Sequence, residues 1–200
     1  EGALYYDSRV DTIFEIGGQD AKYIRLSGSR VYDSAMNEAC SAGTGSFIEE
    51  QGERLSDVPH VGALCEMAIG AERGMSLGQH CSVFMAEVID NALSAGKATE
   101  EVVAGIFDSV IQNYLNRVKG SRSIGERIFC QGMPFSSVAL AAAVARQTGR
   151  QVVVPPSPGT VGSLGIALLA DKNLAIRGTG FVELESFAAS RVTSKDTFTC

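Results

Sequence analysis

The chain has 200 residues, of which 45% are hydrophobic and 20% charged, and its formal net charge at pH 7 is −6. This length suits one sizeable globular domain, and the acidic balance argues against a nucleic-acid partner. No stretch is long and apolar enough to indicate a membrane span and no signal peptide is recognisable, so we expect a cytoplasmic protein without a membrane partner.

Three short strands are the first elements that the sequence predicts. Residues 12–17 form an apolar run that carries one carboxylate, Glu15, and ends at the pair Gly17 and Gly18. Two further strands are predicted at residues 21–27 and 30–34, with a Ser-Gly-Ser turn between them. Short strands joined by tight turns predict an antiparallel meander.

Helices are predicted to follow this meander. Ser46 and Glu49 fit a capping box at the start of the first helix. The longest helix has apolar residues at helical spacing, Thr99 as its expected N-cap, and Gly120 as its stop signal. The predicted helices span residues 46–55, 61–71, from just after Cys81 to about 94, and 99–119.

A strand–helix–strand–helix run ends the patterned part of the chain. We predict strands at residues 127–131 and 151–155, and helices at 137–146 and 161–170. Such crossovers join parallel strands. A meander followed by crossovers is typical of the actin-like, ribonuclease-H-like ATPase half-domain, which is an α/β fold with a mixed sheet and flanking helices.

The Gly17–Gly18 pair is a candidate phosphate turn. Without Cβ atoms, the backbone N–H groups of a glycine turn can approach an anion closely. Gln19 adds a donor, Asp20 can hold a magnesium-bound or lytic water, and Lys22 can pair with Asp20 or with a phosphate oxygen. Glu15 can act through Mg²⁺ at the edge of the same site. The alternative, a solvated hairpin turn, stays open from the residues alone.

Two of the five cysteines directly precede predicted helices. Cys40 and Cys81 would therefore lie at positive helix ends, which favour a thiolate. Two thiolates do not complete a four-ligand site, but a symmetric dimer would bring four together. The alternative is that both are buried structural cysteines, as we expect for Cys65 and Cys130.

The blocks EIGGQDAKYI, MNEACSAGTGSFIEE and QHCSVFMAEVI, in this order, resemble the activator ATPases of 2-hydroxyacyl-CoA dehydratases and the related benzoyl-CoA reductase ATPase subunits. The resemblance covers residues 10–172 and corresponds to the second half of the family's actin-like core. It implies that residues 1–172 form this half-domain and that residues 173–200 are an extension or linker toward a further domain.

The resemblance also implies a function. Members of this family are homodimers that hold one [4Fe–4S] cluster between subunits, with two cysteines from each. With ATP and Mg²⁺, they deliver a low-potential electron to a partner dehydratase or reductase. The implied catalytic residues are Glu15 and Asp20, the nucleotide-binding residues are Gly17, Gly18, Gln19, Lys22, Gly132 and Gly162, and the cluster ligands are Cys40 and Cys81.

This chain departs from the family pattern at several positions. Glu15 stands where the family usually has Asp, and the segment that begins at Gly132 lacks the second glycine and the Asn of the usual adenosine block. The half-domain with the first phosphate loop is absent, so we expect this piece alone to bind ATP poorly and to be inactive. The alternatives are a metal-free, sugar-kinase-like ATPase and a non-catalytic scaffold domain of the same fold.

Overall fold

The computed structural model describes residues 1–38, 41–55 and 60–172. The predicted cluster ligand Cys40 and the predicted extension at residues 173–200 lie outside these ranges.

In these described ranges, five strands form one mixed sheet in the order β3-β2-β1-β4-β5. The first three strands pair antiparallel, β4 runs parallel to β1, and β5 runs parallel to β4. The predicted meander followed by parallel crossovers is therefore confirmed. The strands are β1 (Thr12–Ile16), β2 (Ala21–Ser27), β3 (Arg30–Met36), β4 (Arg127–Gln131) and β5 (Gln151–Val153).

The α-helices of the described residues are α1 (Gly2–Tyr6), α2 (Gly45–Gly52), α3 (Val61–Gly70), α4 (Ser82–Ser94), α5 (Thr99–Asn113), α6 (Val138–Thr148) and α7 (Val161–Lys172). The prediction missed α1. It also extended α5 to residue 119, where the chain instead forms a π-helix over Tyr114–Lys119 before Gly120 ends it with φ +57°. None of the helices in the described ranges has the length and apolarity that a membrane crossing requires.

Helices cover both faces of the sheet because side chains alternate along each strand. In β1, Phe14 and Ile16 belong to the larger core, which is formed with α2 to α6. Ile13 points the other way, into a smaller core with Ala3 of α1 and Val161 of α7. Residues of β1 with odd numbers, including Glu15, therefore lie on the α1 and α7 face.

Two predicted helix caps are wrong. The N-cap residue of α2 is Thr44, and Ser46 lies inside the helix, where its Oγ donates to the Gly18 carbonyl at 2.5 Å instead of capping. The reason is that the segment after β1 packs on the start of α2 and occupies the position of a cap. The N-cap of α5 is Ala98, one residue before Thr99, and no side chain caps this helix.

Tyr114 connects the end of α5 to the sheet. Its side chain is fully buried, and its hydroxyl donates to the Lys22 backbone carbonyl at 2.7 Å. Its ring lies 4.8 Å from the ring of Phe14, measured between centroids. Burial raises the pKa of Tyr114 well above its ordinary value, so the phenol stays a neutral donor.

Replacing Tyr114 with phenylalanine should lower the free energy of unfolding by about 1 kcal/mol, because the hydrogen bond from the buried phenol to the Lys22 carbonyl is lost. Urea denaturation measures this change. As a control, Tyr32→Phe on the edge strand should change stability by less than about 0.5 kcal/mol, since that side chain is 75% exposed. Equal stability of Tyr114→Phe and the unmodified chain would show that this hydrogen bond contributes nothing.

Candidate functional site

The segment after β1 forms a closed turn, residues 17–20, which we call the glycine turn. The Gly17 N–H donates to the Asp20 carbonyl at 2.7 Å. Asn37 holds the turn from outside: its Nδ2 donates to the Gln19 carbonyl at 3.0 Å, and its Oδ1 accepts from the Ala21 N–H at 2.8 Å. Gly18, Gln19 and Asp20 are exposed, so the tip of the turn is accessible to a ligand.

Asn37 is a site residue that the sequence analysis missed. It follows β3 directly, and the β2–β3 register places Met36 opposite Lys22. Its position opposite Ala21 therefore follows from the hairpin register. Extending the predicted strand by two residues would have revealed it.

A row of polar side chains crosses the sheet beside the glycine turn. The Lys22 ammonium lies 2.8 Å from Glu15 Oε1, and Gln131 Nε2 donates to Glu15 Oε2 at 2.5 Å. The register explains this arrangement, since Glu15 pairs with Lys22 on β2 and with Gln131 on β4. The predicted pairing of Lys22 with Asp20 is therefore wrong: the cation pairs with Glu15 instead.

The glycine turn packs directly on the N-terminus of α2. The Gly45 N–H donates to the Gly17 carbonyl at 2.9 Å, and the Ser46 N–H donates to the Gly18 carbonyl at 2.7 Å. A Cβ at Gly45 would lie 2.8 Å from Pro134 Cγ and 3.2 Å from the Gly17 oxygen, so this approach requires glycine. The helix dipole also places partial positive charge behind the turn, which favours an anion there.

A cleft of about 650 Å³ opens beside Gly18. Its volume is that of a small-molecule site. Most of its wall is apolar, with two carboxylates, Glu49 and Glu66, and no cationic side chain among the lining residues. Acceptors without cations suit a ligand portion that carries N–H or O–H donors rather than phosphate. The apolar lining residues are Ile48, Ile69, Phe107, Met133, Pro134 and Val138.

Two further residues in the cleft wall are notable. Ser137 is 9% exposed, and within the described ranges its buried hydroxyl has no hydrogen-bond partner. Cys65 is half-buried: it packs against the larger core, as predicted, but it also lines the cleft. The reason is that α3 packs on α5 with one edge turned to the cleft. Cys130 is buried as predicted, and this burial raises its thiol pKa.

Gly132 joins the cleft to the sheet. It has φ +102°, its N–H donates to the Pro158 carbonyl at 2.8 Å, and a Cβ there would overlap the Ile16 carbonyl at the end of β1. It therefore lies beside the glycine turn. Gly162, in contrast, lies exposed in the first turn of α7 and is not among the residues that line the cleft.

Cys81 lies in another part of the molecule, at the N-cap of α4, and is half-buried. Its position at a helix N-terminus agrees with the prediction. In residues 1–38, 41–55 and 60–172 no group of three or more His, Cys, Asp or Glu is arranged to hold a metal ion. Cys81 is thus compatible with a ligand role only if further ligands come from elsewhere.

The profile of the BadF/BadG/BcrA/BcrD ATPase family matches residues 1–170. The 2-hydroxyisocaproyl-CoA dehydratase activator of Clostridioides difficile is 31% identical over 171 residues, which are 84% of this chain and 63% of that protein. The (R)-2-hydroxyglutaryl-CoA dehydratase activating ATPase of Acidaminococcus fermentans is 28% identical and matches 87% of this chain and 66% of its own length. The chain thus spans just under two thirds of the length of these two relatives.

Comparison with solved structures finds proteins of the same kind as the sequence relatives. The crystal structure of component A of the Acidaminococcus fermentans (R)-2-hydroxyglutaryl-CoA dehydratase superposes with a TM-score of 0.81 at 27% identity, over 87% of this chain and 66% of that one. The Clostridium difficile 2-hydroxyisocaproyl-CoA dehydratase activator with bound ADPNP gives 0.77 at 26% identity, over 97% and 68%. The predicted actin-like fold class is therefore confirmed.

Proposed function

Since the chain belongs to the BadF/BadG/BcrA/BcrD ATPase family, we propose that it is the nucleotide-binding part of an ATP-dependent activator of a 2-hydroxyacyl-CoA dehydratase or a benzoyl-CoA-type reductase. The observation that carries this proposal is the glycine turn, packed on the start of α2 and open to a cleft of about 650 Å³. The activities in the names of the relatives and the ADPNP bound to one of them support it.

In this proposal the phosphates of ATP lie at the exposed tip of the glycine turn and the nucleoside occupies the cleft. The Glu49 and Glu66 carboxylates would accept hydrogen bonds from the exocyclic amine of the base or from the ribose hydroxyls. Ser137 would gain the partner that its hydroxyl lacks.

Two carboxylates are the proposed catalytic residues. Asp20 is exposed at the turn and has the hard oxygen ligands that Mg²⁺ or its bound water prefers. Glu15 is held between Lys22 and Gln131, which fixes its side chain near the same strand end. Gly162 remains a proposed contact through the first turn of α7.

Cys81 and Cys40 are the proposed thiolate ligands of a [4Fe–4S] cluster shared by a homodimer. The helix N-terminus at Cys81 supports the ligand role, because its partial positive charge favours an anionic cluster nearby. Such a cluster would supply one-electron transfer to the dehydratase or reductase. Within this proposal residues 1–172 form the half-domain and residues 173–200 are a linker or extension.

Replacing Asp20 with asparagine should slow ATP hydrolysis by the full-length protein by about 100-fold or more, because a neutral amide neither holds the metal-bound water nor accepts its proton. Nucleotide affinity should change by less than about threefold, since the backbone of the turn is unaltered. Phosphate release and equilibrium titration with ADPNP measure the two quantities.

The matched control is Asp33→Asn on the edge strand, where the carboxylate pairs only loosely with Arg122 at 3.5 Å. This variant should hydrolyse ATP at the unmodified rate. ATP hydrolysis by Asp20→Asn at the unmodified rate would show that Asp20 is not a catalytic residue. Transfer of the phosphoryl group to a sugar acceptor, instead of release as free phosphate, would favour a sugar-kinase-like ATPase.

A further inference from the structure

Every backbone carbonyl of the glycine turn is held by a hydrogen bond from the protein. The carbonyls of Gly17 and Gly18 accept from the N-terminus of α2, at 2.9 and 2.7 Å. The carbonyl of Gln19 accepts from Asn37 Nδ2 at 3.0 Å. The carbonyl of Asp20 accepts from the N–H at the start of the turn at 2.7 Å. The backbone of the turn therefore has one defined conformation, and each bond fixes a different part of it.

The bonds to the first three carbonyls also fix the direction of the N–H groups that follow them. All peptide bonds of the described residues are trans, and in a trans peptide the C=O and the next N–H point in opposite directions. Since the carbonyls of residues 17–19 face the protein, the N–H groups of residues 18–20 face the exposed tip of the turn. Successive outward N–H groups are the donors that an anion-binding turn provides.

Asn37 differs from the other anchors because it holds both peptide groups that flank Asp20. Its Nδ2 donates to the carbonyl of the peptide before Asp20, and its Oδ1 accepts from the Ala21 N–H, in the peptide after it, at 2.8 Å. Peptide groups are planar, so fixing both of them fixes the φ and ψ angles of Asp20 and the direction of its Cα–Cβ bond. One amide side chain thus determines where the Asp20 carboxylate points.

The clamp itself is anchored in the sheet. The Asn37 backbone N–H donates to the Ala21 carbonyl at 3.0 Å, which continues the β2–β3 ladder beyond the end of β3. The Asp20 side chain is exposed, and the nearby cation Lys22 is paired with Glu15 instead. The direction of the Asp20 carboxylate therefore depends on its backbone, which Asn37 ties to the sheet.

We propose that Asn37 is a positioning residue for ATP hydrolysis, which acts by fixing the direction of the Asp20 carboxylate at the tip of the glycine turn. This inference rests on the proposed function, because it needs a nucleotide at that turn. Without the Asn37 amide, the Gln19–Asp20 peptide can rotate, while the turn stays closed and bound to α2. The chemical step then suffers more than nucleotide binding, since a misplacement of about 1 Å can slow a reaction about 100-fold.

The test is a double-mutant cycle on the full-length protein, in which Asn37→Ala and Asp20→Asn are made singly and together. Phosphate release gives kcat, and equilibrium titration with ADPNP gives nucleotide affinity. We expect Asn37→Ala to lower kcat by about 10-fold or more and the affinity by less than about threefold. In the Asp20→Asn background the same change should lower kcat by less than about twofold, because a residue that acts only through Asp20 then has no carboxylate to position.

Asn116→Ala is the matched control. Asn116 is exposed, and its Nδ2 also donates to a backbone carbonyl, that of Gln112, at 3.0 Å, but within a helical segment and not at the turn. This variant should keep the kcat and the ADPNP affinity of the unmodified protein. If Asn37→Ala does not fold, Asn37→Ser takes its place in the cycle, since a serine side chain is too short to hold both peptides.

Three results would overturn the inference and leave the proposed function standing. The first is an unchanged kcat in Asn37→Ala. The second is a double variant in which the two losses multiply, because Asn37 would then act independently of Asp20. The third is an equal loss of kcat and affinity, which a merely structural role of Asn37 predicts. An unmodified protein that neither binds ADPNP nor hydrolyses ATP would overturn the proposed function as well.

Discussion

Replacement of Gly132 with alanine is expected to lower the free energy of unfolding by at least about 3 kcal/mol. Two separate effects add at this position. Gly132 has φ +102°, which side chains rarely adopt, and a Cβ there would overlap the backbone carbonyl of Ile16. The Gly132 backbone, which would carry the new Cβ, and the Ile16 carbonyl both lie at the junction of β1 and β4. Neither can move without disturbing the sheet. The same change should weaken nucleotide binding, since Gly132 lies next to the glycine turn.

Urea denaturation compares Gly132→Ala with Gly149→Ala, a change at a glycine in the milder left-handed conformation with open space around it. Gly149 ends α6 with φ +63°, but a Cβ there would meet no atom within 4 Å. Gly149→Ala therefore reports conformational strain alone and should cost about 1 kcal/mol. If the two variants were equally stable, the close packing of Gly132 on Ile16 would not be part of the folded protein in solution.

Replacement of Cys81 with serine is expected to remove essentially all iron from the anaerobically reconstituted full-length protein. The proposed cluster needs four thiolates, and a dimer of this variant would lose two of them. Serine has almost the same size, so the half-buried N-cap position of α4 should remain intact and the variant should fold. Iron per chain, measured after gel filtration, tests the ligand assignment.

Cys65→Ser is the matched control for this experiment. Cys65 is also half-buried and lies on a helix, but it lines the cleft and not the start of α4. This variant should keep its iron. Full iron content in Cys81→Ser would contradict the ligand assignment, and loss of iron in both variants would indicate that reconstitution depends on folding rather than on Cys81.

Much of the fold was predictable because the relevant signals are local. Alternating apolar residues and tight turns identify β1, β2 and β4, and the Gly17–Gly18 pair marks the end of β1. The π-helix after α5 was not predictable, because helical spacing continues through Tyr114 and Val118. The contact made at the start of the π-helix is long-range: the Tyr114 hydroxyl bonds to Lys22, a residue 92 positions earlier.

The candidate site was only partly predictable for the same reason. The sequence motif predicted Glu15 and Lys22 as site residues, but their pairing with each other depends on the β1–β2 register. Ser46 matched a capping box locally, yet its hydroxyl bonds to Gly18 because the glycine turn occupies that position. Asn37 was missed because the predicted third strand ended at residue 34, two residues short of the end of β3.

The most direct test of the central claim is the iron and sulfide content of the anaerobically reconstituted full-length protein, together with its EPR spectrum before and after reduction. The proposed cluster predicts about two irons per chain, as for one four-iron cluster shared by two chains, and a paramagnetic signal that develops on reduction. A colourless, iron-free protein would contradict the account and leave Cys81 as a structural cysteine of a metal-free ATPase.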